Sequence, residues 1–165
     1  MWAEAEPGMT RRADNMDFEI VPLQSCHIDA VFEIEKECFG NPWSRQDLAA
    51  QPSNENAHFL AAVGENDVLG YIGIYEYFES CEIANLAVRK DFRRNGIAKA
   101  LINAAEENAK KRGCEFITLE VRPSNEPALN LYYSLGFEKA GIRKNFYTSP
   151  AEDALILTKV FKEKK

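Results

Sequence analysis

The spacing of apolar side chains predicts alternating strands and helices. Residues 115–121 place Ile117, Leu119 and Val121 at every second position, which is typical of a strand with one buried face. The helix predicted at residues 96–112 instead has an apolar stripe at helical spacing, consisting of Ile97, Leu101, Ala104 and Ala105. The same criteria predict strands at residues 18–23, 58–63, 68–77, 81–88, 115–121, 137–143 and 154–161. The predicted helices are residues 28–38, 45–51, 96–112 and 125–135.

The order of these elements indicates the fold class and the domain organisation. A strand hairpin followed by strand–helix–strand crossovers predicts a mixed α/β layer architecture. With 165 residues and 45% hydrophobic content, the chain fits one globular domain. Residues 1–15 are polar and unpatterned, so we predict a disordered N-terminal extension there and a single domain at residues 16–165.

Composition excludes several classes of partner. The net charge of −6 disfavours a nucleic-acid backbone and suits a cationic substrate, although it also serves solubility alone. The cysteines form no Cys-x-x-Cys pair or zinc-ligand spacing, which predicts no metal site and favours a reducing compartment. No apolar run is typical of a secretion signal or of a membrane span. We therefore expect a cytoplasmic protein that binds neither a membrane nor a metal.

The turn after the strand at residues 81–88 is typical of an anion site. Arg93-Arg94-Asn95-Gly96-Ile97-Ala98 opens a long helix, whose first turn has backbone N–H groups without intrahelical partners. Gly96 allows the backbone to approach a phosphate closely, and Lys99 adds positive charge. The turn lacks the Gly-Lys-Ser/Thr ending of a Walker A loop and the three glycines of a dinucleotide fold. ATP and NAD are therefore poor candidates.

Arg93-x-x-Gly96-x-Ala98 resembles the signature with which the GNAT superfamily of N-acetyltransferases holds the pyrophosphate of acetyl-coenzyme A (acetyl-CoA). This resemblance implies the GNAT fold, a mixed and mostly antiparallel sheet of about six to seven strands flanked by about four helices. Further segments resemble the bacterial RimI family, which acetylates the N-terminal alanine of a small-subunit ribosomal protein. They are Cys38-Phe39-Gly40-Asn41-Pro42-Trp43-Ser44, Glu82-Ile83-Ala84-Asn85-Leu86-Ala87-Val88, Leu119-Glu120-Val121-Arg122-Pro123-Ser124-Asn125, Ala128-Leu129-Asn130-Leu131-Tyr132-Tyr133-Ser134-Leu135-Gly136-Phe137 and Glu152-Asp153-Ala154.

The resemblance assigns the two catalytic roles. Glu120 takes the role of general base, and the alternative is an ordinary carboxylate paired with Arg122 or another cation. Tyr132 becomes the proton donor to the coenzyme A thiolate, and the alternative is a core aromatic residue. Tyr133 is predicted to be the packing tyrosine of that helix.

The remaining site residues are implied in the same way. The predicted acetyl-CoA contacts are Leu86, Ala87, Val88, Arg93, Arg94, Asn95, Gly96, Ile97, Ala98, Lys99 and Asn125, with the Val88 N–H as an oxyanion donor. Asn125 can equally be only a helix cap. The predicted substrate-side residues are Pro42, Trp43 and Tyr147. Trp43 can equally be a packing residue. Asn145-Phe146-Tyr147-Thr148-Ser149 departs from the family's usual N-Y-Y-P-T, which leaves the details of the acceptor open.

The leading hypothesis is a direct transfer from acetyl-CoA to a protein N-terminus, without a covalent intermediate, because no cysteine occupies a suitable motif position. An α-amino group has a pKa of about 8 and a lysine side chain one of about 10.4, so a chain terminus is the easier acceptor. A second hypothesis keeps the reaction and changes the acceptor to a broader set of N-termini or a polyamine. A third, a non-catalytic acyl-CoA-binding module, ranks low because Glu120 and Tyr132 are both present.

Overall fold

The computed structural model describes residues 10–13 and 16–161, and these residues form one eight-stranded sheet and four α-helices. The strands are β1 (Thr10–Ala13), β2 (Met16–Pro22), β3 (Leu60–Val63), β4 (Val68–Tyr77), β5 (Ser80–Val88), β6 (Phe116–Val121), β7 (Glu138–Thr148) and β8 (Ala151–Val160). The helices are α1 (Ile28–Cys38), α2 (Arg45–Ala50), α3 (Ile97–Lys111) and α4 (Glu126–Ser134).

The strand order across the sheet is β1-β2-β3-β4-β5-β6-β8-β7. Neighbouring strands are antiparallel except β5 and β6, which are parallel and joined through α3. This topology confirms the predicted mixed, mostly antiparallel α/β fold. Strand β1 adds an eighth strand inside the predicted N-terminal extension. The rest of that extension, residues 1–9 and 14–15, lies outside the described residues, and the domain boundary at residue 16 stays a prediction.

Helices cover both faces of the sheet. Helices α3 and α4 pack on one face, over a core that includes Ile72 and Leu101. Helices α1 and α2 pack on the other face, over Leu48 and Tyr71. The predicted stripe of α3 is buried in full, because its spacing puts those side chains against the sheet. Each layer therefore has its own core, and the sheet separates the two.

Strands β5 and β6 pair only at their N-terminal ends, where Ser80–Glu82 lie beside Phe116–Thr118. Beyond Glu82, β5 stays paired with β4 as far as Val88, and β6 stays paired with β8 as far as Val121. The two parallel strands therefore diverge. The space between residues 83–88 of β5 and residues 119–121 of β6 is called the cleft below.

A β-bulge in β5 determines which side chains border the cleft. Gly73 pairs with Asn85 but Ile74 pairs with Ile83, so Ala84 is the extra residue. The bulge shifts the alternation of side chains by one position. As a result Glu82 and Asn85, three residues apart, both face the layer of α1 and α2.

Candidate active site

The turn between β5 and α3 exposes backbone donors at the mouth of the cleft. Gly96 precedes α3 in the left-handed conformation with φ of 73°, and its carbonyl accepts from the Ala100 N–H at 3.0 Å. The amides before Ala100 have no intrahelical acceptor, and the first turn contains no acidic residue. The helix dipole adds partial positive charge at this end. The turn therefore has the helix-start amides on which the predicted anion site depends, and the binding of an anion there stays a prediction.

The basic and polar side chains of this turn divide into two groups. Arg94, with φ of 65°, and Lys99 are exposed. Arg93 is exposed as well, but its guanidinium is engaged, because Nε donates to the Val88 carbonyl at 3.1 Å and Nη2 to Cys38 Sγ at 3.4 Å. Asn95 Nδ2 donates to the carbonyls of residues 92 and 93 at 3.0 and 3.3 Å. Arg93 and Asn95 thus brace the turn, whereas Arg94 and Lys99 are the side chains open to an anion.

The edge of β5 supplies further donors along the cleft. The Arg89 N–H donates to the Leu69 carbonyl at 2.8 Å, which identifies this pair as a hydrogen-bonded pair of the antiparallel ladder. Because such pairs alternate with non-hydrogen-bonded pairs, the Leu86 and Val88 N–H groups point away from β4 and towards β6. The predicted Leu86–Val88 segment therefore offers two amides to the cleft, and the intervening Ala87 is buried against the α1 and α2 layer.

Glu120 lies near the end of β6, on the side of the cleft opposite β5. Its neighbours Leu119 and Val121 are buried against the α3 and α4 layer, so its carboxylate points to the opposite face, as the alternation predicts. Oε1 of Glu120 lies 3.0 Å from Nε of Arg143 on β7. Arg122, the other cation proposed as a partner, instead lies 3.2 Å from Glu152. Glu120 is thus ion-paired and also lies at the cleft. Its position is compatible with a general base and with an ordinary carboxylate paired to a cation.

Glu82 is a second carboxylate at this point, and the motif analysis did not single it out. It pairs with Thr118 at the position where β5 and β6 diverge, and it faces the same layer as Glu120. Burial raises the pKa of Glu82, and the charge of Glu120 and a hydrogen bond with it raise it further, while Arg143 opposes the shift. The signal that identifies Glu82 is its pairing with Thr118 of β6, a register between strands that are distant in the chain.

Tyr132 of α4 lies on the other side of the sheet from the two carboxylates. Its side chain is buried and packs edge-on against Phe137, with ring centroids 5.6 Å apart. Burial, with a smaller contribution from Tyr147, raises the pKa of Tyr132 to about 12. The phenol therefore stays protonated across the neutral range. Tyr133, predicted to be the packing tyrosine, is instead 45% exposed, so that prediction was wrong.

Asn125 acts as the N-cap of α4. Its Oδ1 accepts from the Ala128 N–H at 3.3 Å, as expected from the alternative prediction that Asn125 is a helix cap. A contact with a cofactor stays a prediction, and the Asn125 amide nitrogen is the group available for it.

Tyr147 is held at the site by contacts from the chain after β6. The guanidinium of Arg122 lies 4.1 Å from the centroid of the Tyr147 ring and also donates to the Pro150 carbonyl at 2.9 Å. Burial raises the pKa of Tyr147, Arg122 lowers it, and Glu120 and Glu152 raise it.

Pro42 and Trp43 lie in the connection between α1 and α2 and line a pocket of about 610 Å³. The Trp43 ring packs against Phe59 at 6.0 Å between centroids, so it serves packing as well as the pocket. Tyr75 of β4 also lines the pocket and pairs across the ladder with Glu82. The pocket therefore lies on the face covered by α1 and α2, and Tyr75 connects it to Glu82 across the β4–β5 ladder.

Two observations cover the whole described part of the chain. Across residues 10–13 and 16–161, no group of three or more His, Cys, Asp or Glu side chains is arranged to hold a metal ion. None of the helices in the same residues is long and apolar enough to cross a membrane.

Comparison with known sequences identifies close counterparts. The profile of the acetyltransferase (GNAT) family matches residues 28–137. A protein of Bacillus subtilis (strain 168), provisionally described as a ribosomal protein bS18-alanine N-acetyltransferase, is 37% identical over 131 residues, which cover 79% of this chain and 87% of that protein. The ribosomal protein bS18-alanine N-acetyltransferase of Escherichia coli (strain K12) is 33% identical over 141 residues, with coverage of 84% and 94%.

Comparison with solved structures gives the same fold. The crystal structure of the ribosomal-protein-S18-alanine N-acetyltransferase from Escherichia coli matches with a TM-score of 0.82 and 29% identity, over 90% of this chain and 96% of that one. A GNAT acetyltransferase from Elizabethkingia anophelis, solved with acetyl-CoA bound, matches with a TM-score of 0.70 and 22% identity, over 87% and 98%. The resemblance to GNAT and RimI-type enzymes inferred from the motifs is thereby confirmed.

Proposed function

The chain belongs to the acetyltransferase (GNAT) family, and from this premise we propose that it transfers an acetyl group from acetyl-CoA to the N-terminal α-amine of a protein. The acceptor we propose is the N-terminal alanine of a small-subunit ribosomal protein, since the relatives from Escherichia coli are described as bS18-alanine N-acetyltransferases. The observation that carries the proposal is the cleft itself, in which an anion-binding turn, free backbone amides and a carboxylate follow one another.

The turn and the edge of β5 provide the binding groups for acetyl-CoA. The amides at the start of α3, with Arg94 and Lys99, bind the pyrophosphate. The Leu86 and Val88 N–H groups then bind the pantetheine and the acetyl carbonyl, where fixed donors stabilise the oxyanion that forms during transfer. Arg93 and Asn95 contribute by holding the turn in shape, as their contacts with the backbone indicate.

Glu120 and Tyr132 carry the proton transfers. The carboxylate of Glu120, directly or through water, takes the proton that the acceptor amine loses as its nitrogen attacks the acetyl carbon. The carbon–sulfur bond then breaks, and the buried, protonated phenol of Tyr132 gives its proton to the departing thiolate. Because Glu120 and Tyr132 lie on opposite faces of the sheet, each reaches the reacting atoms from its own side of the cleft.

A peptide panel tests cofactor, reaction and acceptor together. We expect acetyl-CoA-dependent gain of one acetyl group, by mass spectrometry, on a ribosomal peptide that begins with alanine. An N-terminally blocked peptide with an internal lysine, and spermidine, should react far more slowly. Dominant turnover of spermidine would overturn the ribosomal acceptor, and the absence of measurable affinity for acetyl-CoA by calorimetry would overturn the whole proposal.

Glu120→Gln tests the base directly. We expect kcat to fall by about 10²–10⁴-fold, because the amide cannot take a proton, while the Kd of acetyl-CoA stays within about two-fold. Glu115→Gln is the matched control, since it makes the same change at an exposed position next to β6. Unchanged turnover in Glu120→Gln would remove Glu120 from the role of base.

A further inference from the structure

A buried carboxylate lies beneath α1 at the centre of the molecule. The Glu35 side chain has only 1% of its residue surface exposed, although it is on the first helix and outside the motifs that carry the proposed chemistry. Its Oε1 accepts hydrogen bonds from the Tyr71 hydroxyl and from Asn85 Nδ2, the latter at 2.9 Å. Its Oε2 accepts from the backbone N–H of Trp43 at 3.1 Å. Asn85 Nδ2 also donates to the Tyr71 hydroxyl oxygen at 2.9 Å, which completes the network.

Packing alone does not explain a carboxylate at this position. Burial raises the pKa of Glu35, and the hydrogen bonds from Trp43 and Asn85 lower it. An apolar side chain of similar size would fill the same space without the desolvation penalty of a charged group. What an apolar side chain lacks is the ability to accept from three donors on three separate segments.

Those donors connect the two halves of the candidate site. Trp43 belongs to the wall of the pocket beside the acceptor-side face, in a connection that lies outside the helices and strands. Asn85 belongs to β5, directly before Leu86, whose N–H points into the cleft. Tyr71 is on β4, the strand that pairs with this part of β5. One carboxylate thus ties the acceptor pocket to the strand that borders the cleft.

We propose that Glu35 is a positioning residue of the transfer reaction, which fixes the Trp43 wall of the acceptor pocket relative to the cleft edge of β5. This inference rests on the function proposed above. Glu35 acts through Trp43 and Asn85 rather than on the reacting atoms, because all of its contacts are with protein donors and its side chain is sealed from solvent. A wall held at a fixed distance from the cleft edge is already in place when the acceptor arrives, so the acceptor binds without the cost of ordering that wall.

Glu35→Gln breaks one specific contact. Oε1 of Glu35 accepts from two donors, the Tyr71 hydroxyl and Asn85 Nδ2. A glutamine keeps both hydrogen bonds only if its amide oxygen takes the place of Oε1. Its NH₂ group then takes the place of Oε2 and faces the Trp43 N–H. Two donors then face each other and the Trp43 contact is lost. We expect kcat/KM for the peptide acceptor to fall about ten-fold, mainly through KM, because the acceptor wall is freed while the cofactor strand is kept.

Two readouts separate positioning from general damage. The Kd of acetyl-CoA should stay within about two-fold, since the turn and the β5 amides are untouched. In a Trp2→Phe background, where Trp43 is the remaining tryptophan, the emission of Glu35→Gln should shift to longer wavelength and become more accessible to acrylamide. Glu33→Gln is the matched control, because it removes the same charge from the same helix at an exposed position paired with Lys36, and it should change none of these quantities.

Equal peptide kcat/KM in Glu35→Gln and Glu33→Gln, or an equal loss of peptide and acetyl-CoA binding, would overturn the proposal. Hydrogen exchange of the unmutated protein gives a test that needs no folded variant. The Trp43 amide should exchange far more slowly than its neighbours in the same connection, and exchange at the rate of an exposed loop would overturn the proposal. Neither the exchange nor the fluorescence measurement depends on turnover, so a failure of the proposed acceptor is distinguishable from a failure of the Glu35 contact.

Discussion

At the scale of single residues, the site brings two carboxylates together with one arginine. Glu82 and Glu120 come from adjacent strands, and Arg143 forms an ion pair with Glu120. Like charges in neighbouring strands destabilise the fold, and one guanidinium offsets this only in part. The arrangement suits a site that must bind a cationic amine and then take its proton, so we expect it to lower stability in favour of function.

Glu82→Gln should stabilise the protein at neutral pH. The pKa of Glu82 is raised in the folded state, so the folded protein holds this proton more tightly than the unfolded chain does. Protonated Glu82 therefore contributes to the free energy of unfolding at low pH. This contribution is lost as the pH rises from the ordinary carboxyl pKa of the unfolded chain through the raised pKa of the folded protein. A glutamine does not ionise, and we expect a gain of about 0.5 kcal/mol at pH 7 and almost none at pH 4, measured by thermal or urea unfolding.

Glu79→Gln provides the comparison for this experiment. It removes the same charge from the exposed turn just before β5 and should leave the pH dependence of unfolding unchanged. A destabilised Glu82→Gln protein at pH 7, or a gain that is equal at both pH values, would show that the two carboxylates do not interact as described.

The sequence identifies Glu120 more readily than Glu82 for a physical reason. Glu120 lies in a strand of regular alternation, so its face follows from its neighbours Leu119 and Val121. The face of Glu82 follows in the same way from its buried neighbours Cys81 and Ile83, but its position beside Glu120 depends on pairing with β6, a strand more than thirty residues away in the chain. A local pattern does not contain that information. The hydrogen bonds of Arg93 likewise depend on the Val88 carbonyl and on Cys38 of a distant helix.

At the scale of elements, α3 has a left-handed glycine at each end, and only one of them adjoins the proposed anion site. Gly96 has φ of 73° before the helix and Gly113 has φ of 97° after it. Alanine at either position should cost about 1–2 kcal/mol of stability, because a Cβ disfavours the left-handed conformation. Gly96→Ala alone should also raise the Kd of coenzyme A, by about ten-fold or more in calorimetry, because it alters the turn where phosphate approaches.

Gly113→Ala is thus the control for strain without loss of the site. A Cβ at Gly113 meets no atom within 4 Å, so its effect is confined to the backbone conformation. Similar losses of stability with unequal losses of affinity are the expected outcome. Equal Kd values for the two variants would contradict the placement of the pyrophosphate at this turn.

Element boundaries follow from the sequence where one strong signal ends the element, as at Gly113. The final hairpin is different, because β7 continues to Thr148 past the predicted end at residue 143, and β8 begins at Ala151 instead of residue 154. Asn145 adopts a left-handed conformation with φ of 55°, and its N–H donates to Asp153 Oδ1 at 2.8 Å. The hairpin therefore continues through an irregularity that a period-two pattern marks as a break.

At the scale of the whole molecule, the sheet separates the pocket proposed for the acceptor from the turn proposed for acetyl-CoA. The pocket lined by Trp43 and Tyr75 opens on the face covered by α1 and α2, together with the carboxylates. Tyr132 belongs to the opposite layer, which also contains α3 and, at the N-terminus of α3, the turn proposed to bind the pyrophosphate. The divergence of β5 and β6 opens the sheet between the two layers. In the proposed function, this division allows acceptor and acetyl-CoA to occupy the protein at the same time, which direct transfer requires.

Initial-rate kinetics should therefore give intersecting double-reciprocal lines, and Cys38→Ala should retain kcat within about three-fold. Cys38 is the cysteine beside the cleft edge, and its thiol donates to the Val88 carbonyl at 3.5 Å. Burial raises the pKa of Cys38 despite the nearby Arg93, so the thiol is a weak nucleophile at neutral pH. Cys26→Ala is the exposed control. Two results would instead require a covalent intermediate: parallel lines, or an acetyl group found by mass spectrometry on protein treated with acetyl-CoA alone. With such an intermediate, the acetyl group leaves coenzyme A before the acceptor binds.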